Sequence, residues 1–217
     1  MTIAPVELYA ANSSNSQRAA IMLEECGIPY RVRAVDLAGG EQRGDAFLAV
    51  NPAGAVPVMV DPAGPDGKPL TLAQSGAILL YLATKSGRFL PQDPALRAAA
   101  FQWFMFATTD LAMMSTMVFL ESSVLPGRSP ANVEFFEKRI ARYFAVADAR
   151  LAGRGYLADE LSIADFALYP VVRVRGRLAD ASTTPHLVRW AEALGRREGV
   201  ARGMAATEQP LSKATAG

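Results

Sequence analysis

Cysteine and histidine occur once each among the 217 residues, as Cys26 and His186, and the formal charge is nearly balanced at +1. A single cysteine excludes a disulfide framework and suits a reducing compartment. A near-zero charge argues against a nucleic-acid partner, whose phosphates require a basic patch. The lone histidine follows a proline at a helix start, with no orienting partner or nucleophile placed beside it. It therefore reads as a surface or capping residue rather than a catalytic base. No basic, apolar leader opens the sequence and no internal repeat is visible. The expectation is a cytoplasmic protein with neither a membrane nor nucleic acid among its partners.

What the chain does have is a dense stretch over residues 51–82, NPAGAVPVMVDPAGPDGKPLTLAQSGAILLYL. Residues 56–60 form an apolar strand, 61–69 carry turn chemistry, 70–72 make a second strand and 74–83 a strongly apolar helix. Pro57 cannot donate to a ladder, so it belongs at a strand start or edge, and Val56–Pro57 is a candidate cis peptide. Such a turn presents the backbone N–H and C=O of Val56 to whatever lies in front of the sheet. Gln74 and Ser75 stand at a helix start, where unpaired N–H groups and the dipole favour a carboxylate.

Upstream, residues 6–10 alternate as a strand. Residues 12–16 (NSSNS) form a polar loop in which every residue is a helix capper. A helix follows over 18–25 and stops at Gly27. Residues 30–37 alternate as a second strand, 38–44 form a glycine-rich loop and 45–50 a helical turn. The order βαβαββα predicts an α/β thioredoxin-like domain with a mixed sheet over residues 1–85.

Glycine and two prolines break the pattern over 86–94, read as a linker. Residues 95–205 are predicted to form an all-α helical domain, and 206–217 a flexible tail. From Ala98 to Leu120 the only ionisable residue is Asp110. That run could span a bilayer by length, but a charge at its middle costs about 2.5–3.5 kcal/mol. A helix buried among others or at a dimer interface is expected instead, with Met105, Met113, Met114 and Met117 as adaptable fillers, one or two of them lining a pocket. Residues 132–151 are amphipathic. Ser162-Ile163-Ala164-Asp165 has the form of a capping box and is assigned to structure. Arg173, Arg175 and Arg177 read as a solvated helix face, and residues 185–199 as the last helix.

The pattern N-P-x-G-x-V-P followed by Q-S-x-A-I-x-x-Y-L resembles the glutathione-binding half of the cytosolic glutathione transferases. The resemblance implies that Val56, beside a cis Pro57, pairs with the cysteinyl backbone of glutathione, and that Gln74 and Ser75 hold its γ-glutamyl group. The first half is most similar to the bacterial Nu class, through Leu8-Tyr9, Glu24-Glu25, Tyr30, Val35-Asp36-Leu37, Gly39-Gly40-Glu41-Gln42, Phe47-Leu48 and the run from Ser75 to Pro91. Matched to that class, Ser13 and Asn15 contact the glutathione sulfur as the catalytic pair, and Gln42 reaches glutathione. The loop reads Ser13-Ser14-Asn15 where the class has T-P-N. Ala55 stands where a basic residue is common, with Gln42, Arg18 or Arg43 as candidates to compensate. From the residues alone, any of Ser13, Ser14, Asn15 and Ser16 serves as the helix cap.

The implied activity uses a glutathione thiolate, without a metal, to reduce disulfides or peroxides or to conjugate small hydrophobic electrophiles. The implied assembly is a homodimer. The alternative is a non-catalytic binding or interaction protein on the same fold. A free thiol has a pKa of about 8.5, and lowering it by two units takes about 2.7 kcal/mol. Tyr9 lies too early in the first strand to supply this, and Cys26 lies at the far end of the first helix from the loop.

Overall fold

The computed structural model describes residues 4–208. Val6, Leu8 and Ala10 are buried while Glu7 and Tyr9 are half-buried, the two-residue period of a strand with one face inside. This strand, β1 (Val6–Ala10), is followed by α1 (Ser14–Cys26), β2 (Tyr30–Ala34), the short α2 (Asp45–Leu48), β3 (Val58–Asp61), β4 (Leu70–Ala73) and α3 (Ser75–Ser86). The sheet order is β2-β1-β3-β4. β1 runs parallel to β2 across the α1 crossover and antiparallel to β3, and β3 pairs antiparallel with β4. The mixed sheet and the βαβαββα order are those predicted.

α1 begins four residues earlier than its apolar pattern, because its first turn is polar. Ser13 caps it, its Oγ accepting from Ser16 N–H at 3.2 Å. Ala19, Ala20, Ile21, Met22 and Leu23 are fully buried. The helix ends at Gly27, whose φ of 67° is open to glycine at little cost.

The second half is helical. α4 (Pro94–Met105) and α5 (Ala112–Phe119) are joined by π-helical turns at Phe106–Leu111 and followed by more at Leu120–Val124. Then come α6 (Pro130–Leu151), α7 (Ile163–Val174) and α8 (Pro185–Gly195). α7 is buried from Ile163 to Val172 and packs on α4 and α8, while α5 packs on α6. The capping box is present. The Asp165 carboxylate accepts from Leu157 N–H (3.1 Å), Ser162 N–H (3.0 Å), Ser162 Oγ (3.3 Å) and Trp190 Nε1 (3.0 Å). Complete burial nevertheless outweighs these donors and pushes its pKa up to about 6. The cap of α8 is Asp148, which accepts from the backbone N–H of His186 and Leu187, rather than the His186 side chain.

The expectation for the apolar run is refined. Pro94–Val124 is long and apolar enough to cross a membrane, and 28% of its apolar window is buried within the chain. One side joins the core, with Ala100, Phe104, Ala107, Leu111 and Val118 buried, while Phe101, Met105, Met113 and Phe119 are exposed, the last at 54%. Of the three arginines read as a solvated face, Arg173 and Arg177 are exposed and Arg175 is half-buried. Its Nη2 donates to Ser115 O at 2.6 Å and its Nε to Ser115 Oγ at 3.1 Å.

The last helix, α9 (Glu198–Ala206), packs on α1. Gly203 permits the contact, since a Cβ there would stand 2.5 Å from Ile21 Cα. Arg197 forks onto Glu25 at 2.9 and 2.7 Å, and Arg202 meets Glu24 at 2.7 Å. The chain thus forms two compact units, 4–86 with 197–208, and 87–196. The predicted helical domain 95–205 therefore ends earlier, and the predicted single helix 185–199 is two. Of the predicted tail, Ala206 closes α9, and residues 209–217 lie outside the described residues.

Candidate active site

The strand register gathers four loops at one end of the sheet. β1 and β2 are parallel, so both finish there: Ala10 pairs with Ala34, and Val35 N–H donates to Ala10 O at 2.9 Å. β3 starts there, with Val58 opposite Tyr9. β4 finishes there, with Ala73 opposite Val58. The segments entering or leaving this end carry Ser13 and Asn15, Gln42, Val56 and Pro57, and Gln74 and Ser75. All seven residues nominated from the sequence thus belong to segments at that one end, with Asn15 in the first turn of α1 and Ser75 opening α3.

The loop after β1 is ordered by its own hydroxyls. Ser16 is fully buried, and its Oγ accepts from Ala11 N–H (3.2 Å) and from Ser13 Oγ (3.1 Å). Ser13 is therefore both the helix cap and a donor to Ser16. Its hydroxyl must rotate before it can donate elsewhere. Asn15 is differently placed. Its Oδ1 accepts from Arg18 Nη1 at 2.8 Å, which leaves the two amide N–H donors on Nδ2 as its remaining polar capacity.

Arg18 is 1% exposed. A guanidinium this deep is costly unless acceptors surround it, and Asn15 is one of them. Ser75 Oγ is another, at 3.5 Å, the long limit of a hydrogen bond. Burial pushes the Arg18 pKa down to about 10, so it stays protonated at neutral pH. Ser75 is itself 8% exposed and opens α3, whose N-terminal dipole adds to the positive potential. Gln74, before it, is exposed and holds φ 72°, a left-handed conformation that costs a non-glycine residue about 1–2 kcal/mol. Strain of this kind gathers at sites where the side chain has work to do.

The Val56–Pro57 peptide is cis. The loop ahead of it is tied by Asn51, buried at 6% exposure, which donates Nδ2 to Ala55 O at 2.6 Å and accepts from Ala53 N–H at 3.2 Å. Gly54, at φ 60°, lies against the backbone of Gln42, with an added Cβ only 3.2 Å from Gln42 O. Gln42 turns toward its own loop, donating Nε2 to Leu37 O at 3.4 Å, and its buried Oε1 has no hydrogen-bond partner among the described residues. One N–H of Nε2 is left for another partner.

Tyr9 packs edge-on against Phe47 from within β1. Cys26, half-buried at the opposite end of α1, lies 3.3 Å from Ser86 Oγ. Neither belongs to the site. Sequence reasoning did not give Arg18, Ser16 and Asn51 their structural roles. A usable signal for Arg18 was its spacing from Asn15, three residues on along one helix face.

The site therefore offers an amide donor and a hydroxyl around a buried cation, at the start of two helices. That is chemistry for an elongated anion. Residues 12–85 match the glutathione S-transferase N-terminal domain and residues 108–198 its C-terminal domain. The disulfide-bond oxidoreductase YfcG of Escherichia coli (strain K12) is 35% identical over 216 residues, covering 98% of this chain and 97% of that protein. The chain belongs to the glutathione S-transferase family. Among solved structures, this transferase is similar to a glutathione transferase from Burkholderia graminis with two glutathione molecules bound per subunit. The TM-score is 0.88 at 33% identity, over 95% of this chain and 90% of that one. A second, from Pseudomonas putida with one glutathione disulfide bound per subunit, gives 0.85 at 32% identity over 92% and 90%. Both the α/β and the helical half of the family fold are present.

Proposed function

We propose that this glutathione S-transferase binds glutathione at the described sheet end and uses its thiolate to reduce small disulfides or peroxides, with conjugation of small electrophiles as a further activity. The observation that carries the reading is the shared attachment of Asn15 and Ser75 to one buried arginine, at the end of the sheet where the Val56–Pro57 turn also lies. Val56 takes the cysteinyl backbone, Gln74 and Ser75 the γ-glutamyl end, and the Asn15 amide the sulfur, with Ser13 secondary because it also caps α1. Gln42 donates the remaining N–H of its amide to glutathione.

In disulfide reduction the thiolate attacks one sulfur of the substrate, forming a mixed disulfide and expelling a thiolate. A second glutathione thiolate attacks the mixed disulfide, releasing oxidised glutathione and the other substrate thiolate. Two glutathiones are oxidised and one disulfide is reduced. With no cysteine in the loop, glutathione supplies both sulfurs, and the protein supplies position and charge.

Retention on immobilised glutathione, with turnover of 2-hydroxyethyl disulfide and of chlorodinitrobenzene, tests the reading. Neither retention nor turnover is the result that sinks it and leaves a non-catalytic binding protein, an outcome toward which Ala55 points. Gln74 provides a finer test. Gln74→Gly relieves the left-handed strain and is expected to stabilise the fold by about 0.5–1 kcal/mol. It is also expected to weaken glutathione binding roughly tenfold. A gain in thermal stability with unchanged binding removes Gln74 from the ligand contacts.

The exposed apolar face bearing Phe101, Met105, Met113 and Phe119 supports a homodimer, checked by sedimentation. The lone free cysteine supports a cytoplasmic place of action.

A further inference from the structure

Asn15 and Ser75 lie 60 residues apart in sequence, and each meets the same guanidinium. Arginine offers donors and no acceptor. Whatever faces it must accept, which fixes the Asn15 amide with oxygen inward and nitrogen outward. The same logic applies to Ser75: its oxygen accepts from Arg18, and its hydroxyl proton is left for another partner. A flipped Asn15 would set an amide N–H against a guanidinium N–H within a buried site, losing a charge-assisted bond.

We propose that Arg18 is a positioning residue that fixes the polarity of both subsites, holding the Asn15 amide as a donor to the glutathione sulfur and the Ser75 hydroxyl as a donor to the γ-glutamyl carboxylate. The inference rests on the glutathione reading above. Arg18 need not touch the ligand. It acts by denying Asn15 the orientation in which its carbonyl oxygen would face, and repel, a thiolate.

A double-mutant cycle tests this through rate. With 2-hydroxyethyl disulfide as substrate, Arg18→Met fills the same space without a donor, and kcat is expected to fall about tenfold or more. The fall in kcat exceeds the rise in KM for glutathione, because the amide's orientation matters most once the thiolate forms. Asn15→Ala alone produces a loss at least as large. The double variant is expected to have a kcat no more than about threefold below that of Asn15→Ala, because Arg18 reaches the sulfur through Asn15, while its KM for glutathione still rises through Ser75. Arg18→Lys, which restores a charged donor, recovers part of the rate.

Asn15→Asp guards against a loss of folding. It keeps the acceptor toward Arg18 and adds an ion pair, but has no N–H, so it is expected to fold and to be as slow as Asn15→Ala. Factors that multiply in the double variant, equal rates for Arg18→Lys and Arg18→Met, or full activity of Asn15→Asp overturn the role of Arg18 while leaving the glutathione reading intact. An inactive wild-type protein that does not bind glutathione overturns both.

Discussion

Alanine at Asn15 is expected to cut the rate of glutathione-dependent disulfide reduction about 10- to 100-fold while changing retention on immobilised glutathione by less than about threefold. The asymmetry follows from geometry. In the proposed site, Val56, Gln74 and Ser75 stand on other segments at the same sheet end and would hold the ligand without Asn15. The amide N–H groups of Asn15 are free for the sulfur because its oxygen is committed to Arg18. A hydrogen bond to a charged partner is worth about 1.5–3 kcal/mol, and it is realised mainly when the sulfur is ionised. Ser13→Ala separates the other candidate. Its hydroxyl caps α1 and bonds Ser16, so its loss is expected to lower stability by about 1 kcal/mol and to slow the reaction less than Asn15→Ala. Equal rates for both variants and wild type would mean that this loop does not serve the thiolate.

The largest stability effect is expected at Asp165. Alanine there strips the acceptor from two backbone N–H groups, the Ser162 hydroxyl and the Trp190 indole, all in the interior of the helical unit. Each orphaned donor costs about 1–3 kcal/mol. With partial relaxation the sum is about 3–5 kcal/mol, or a fall of roughly 10 °C or more in the unfolding midpoint. The pH dependence has a definite sign. The carboxyl titrates at about 6 in the folded protein, above its ordinary value of 3.8. Between those values the folded state binds the extra proton, so this group's contribution makes stability fall as pH rises through the window. Above pH 6 both states are ionised and the slope ends. Thermal unfolding of wild type and Asp165→Asn from pH 4 to 7 checks it: the substitution lowers stability and flattens that segment. A wild-type slope that persists in Asp165→Asn assigns it to other groups.

Much of the fold was written in local patterns. The two-residue alternation of β1 and the turn residues between β3 and β4 set out the βαβαββα order. Serine and aspartate three residues apart announced α7. What escaped was non-local. Nothing near Gly203 says that its missing side chain is needed against Ile21, and nothing near Arg197 names Glu25 as its partner, so the last helix was placed with the wrong unit. Nor does the composition of the apolar run from Pro94 say which of its sides is covered.

The sequence nominates residues that the fold brings to one sheet end, but not the bonds among them. A loop of serines and asparagines leaves the cap undecided, and only the geometry gives it to Ser13. Arg18 reads from the sequence as the start of a helix and a candidate to compensate for Ala55. Its burial becomes visible only when α3 delivers Ser75 to the same spot from 57 residues away.

A sheet end that binds glutathione and ionises its thiol leaves a spectroscopic trace. Titration of bound glutathione by the ultraviolet absorbance of its thiolate tests that most directly. The expected apparent pKa is about one to two units below the free value of about 8.5 in the wild-type protein, returning toward 8.5 in Asn15→Ala. Glutathione that binds with an unshifted thiol, or that does not bind, contradicts it.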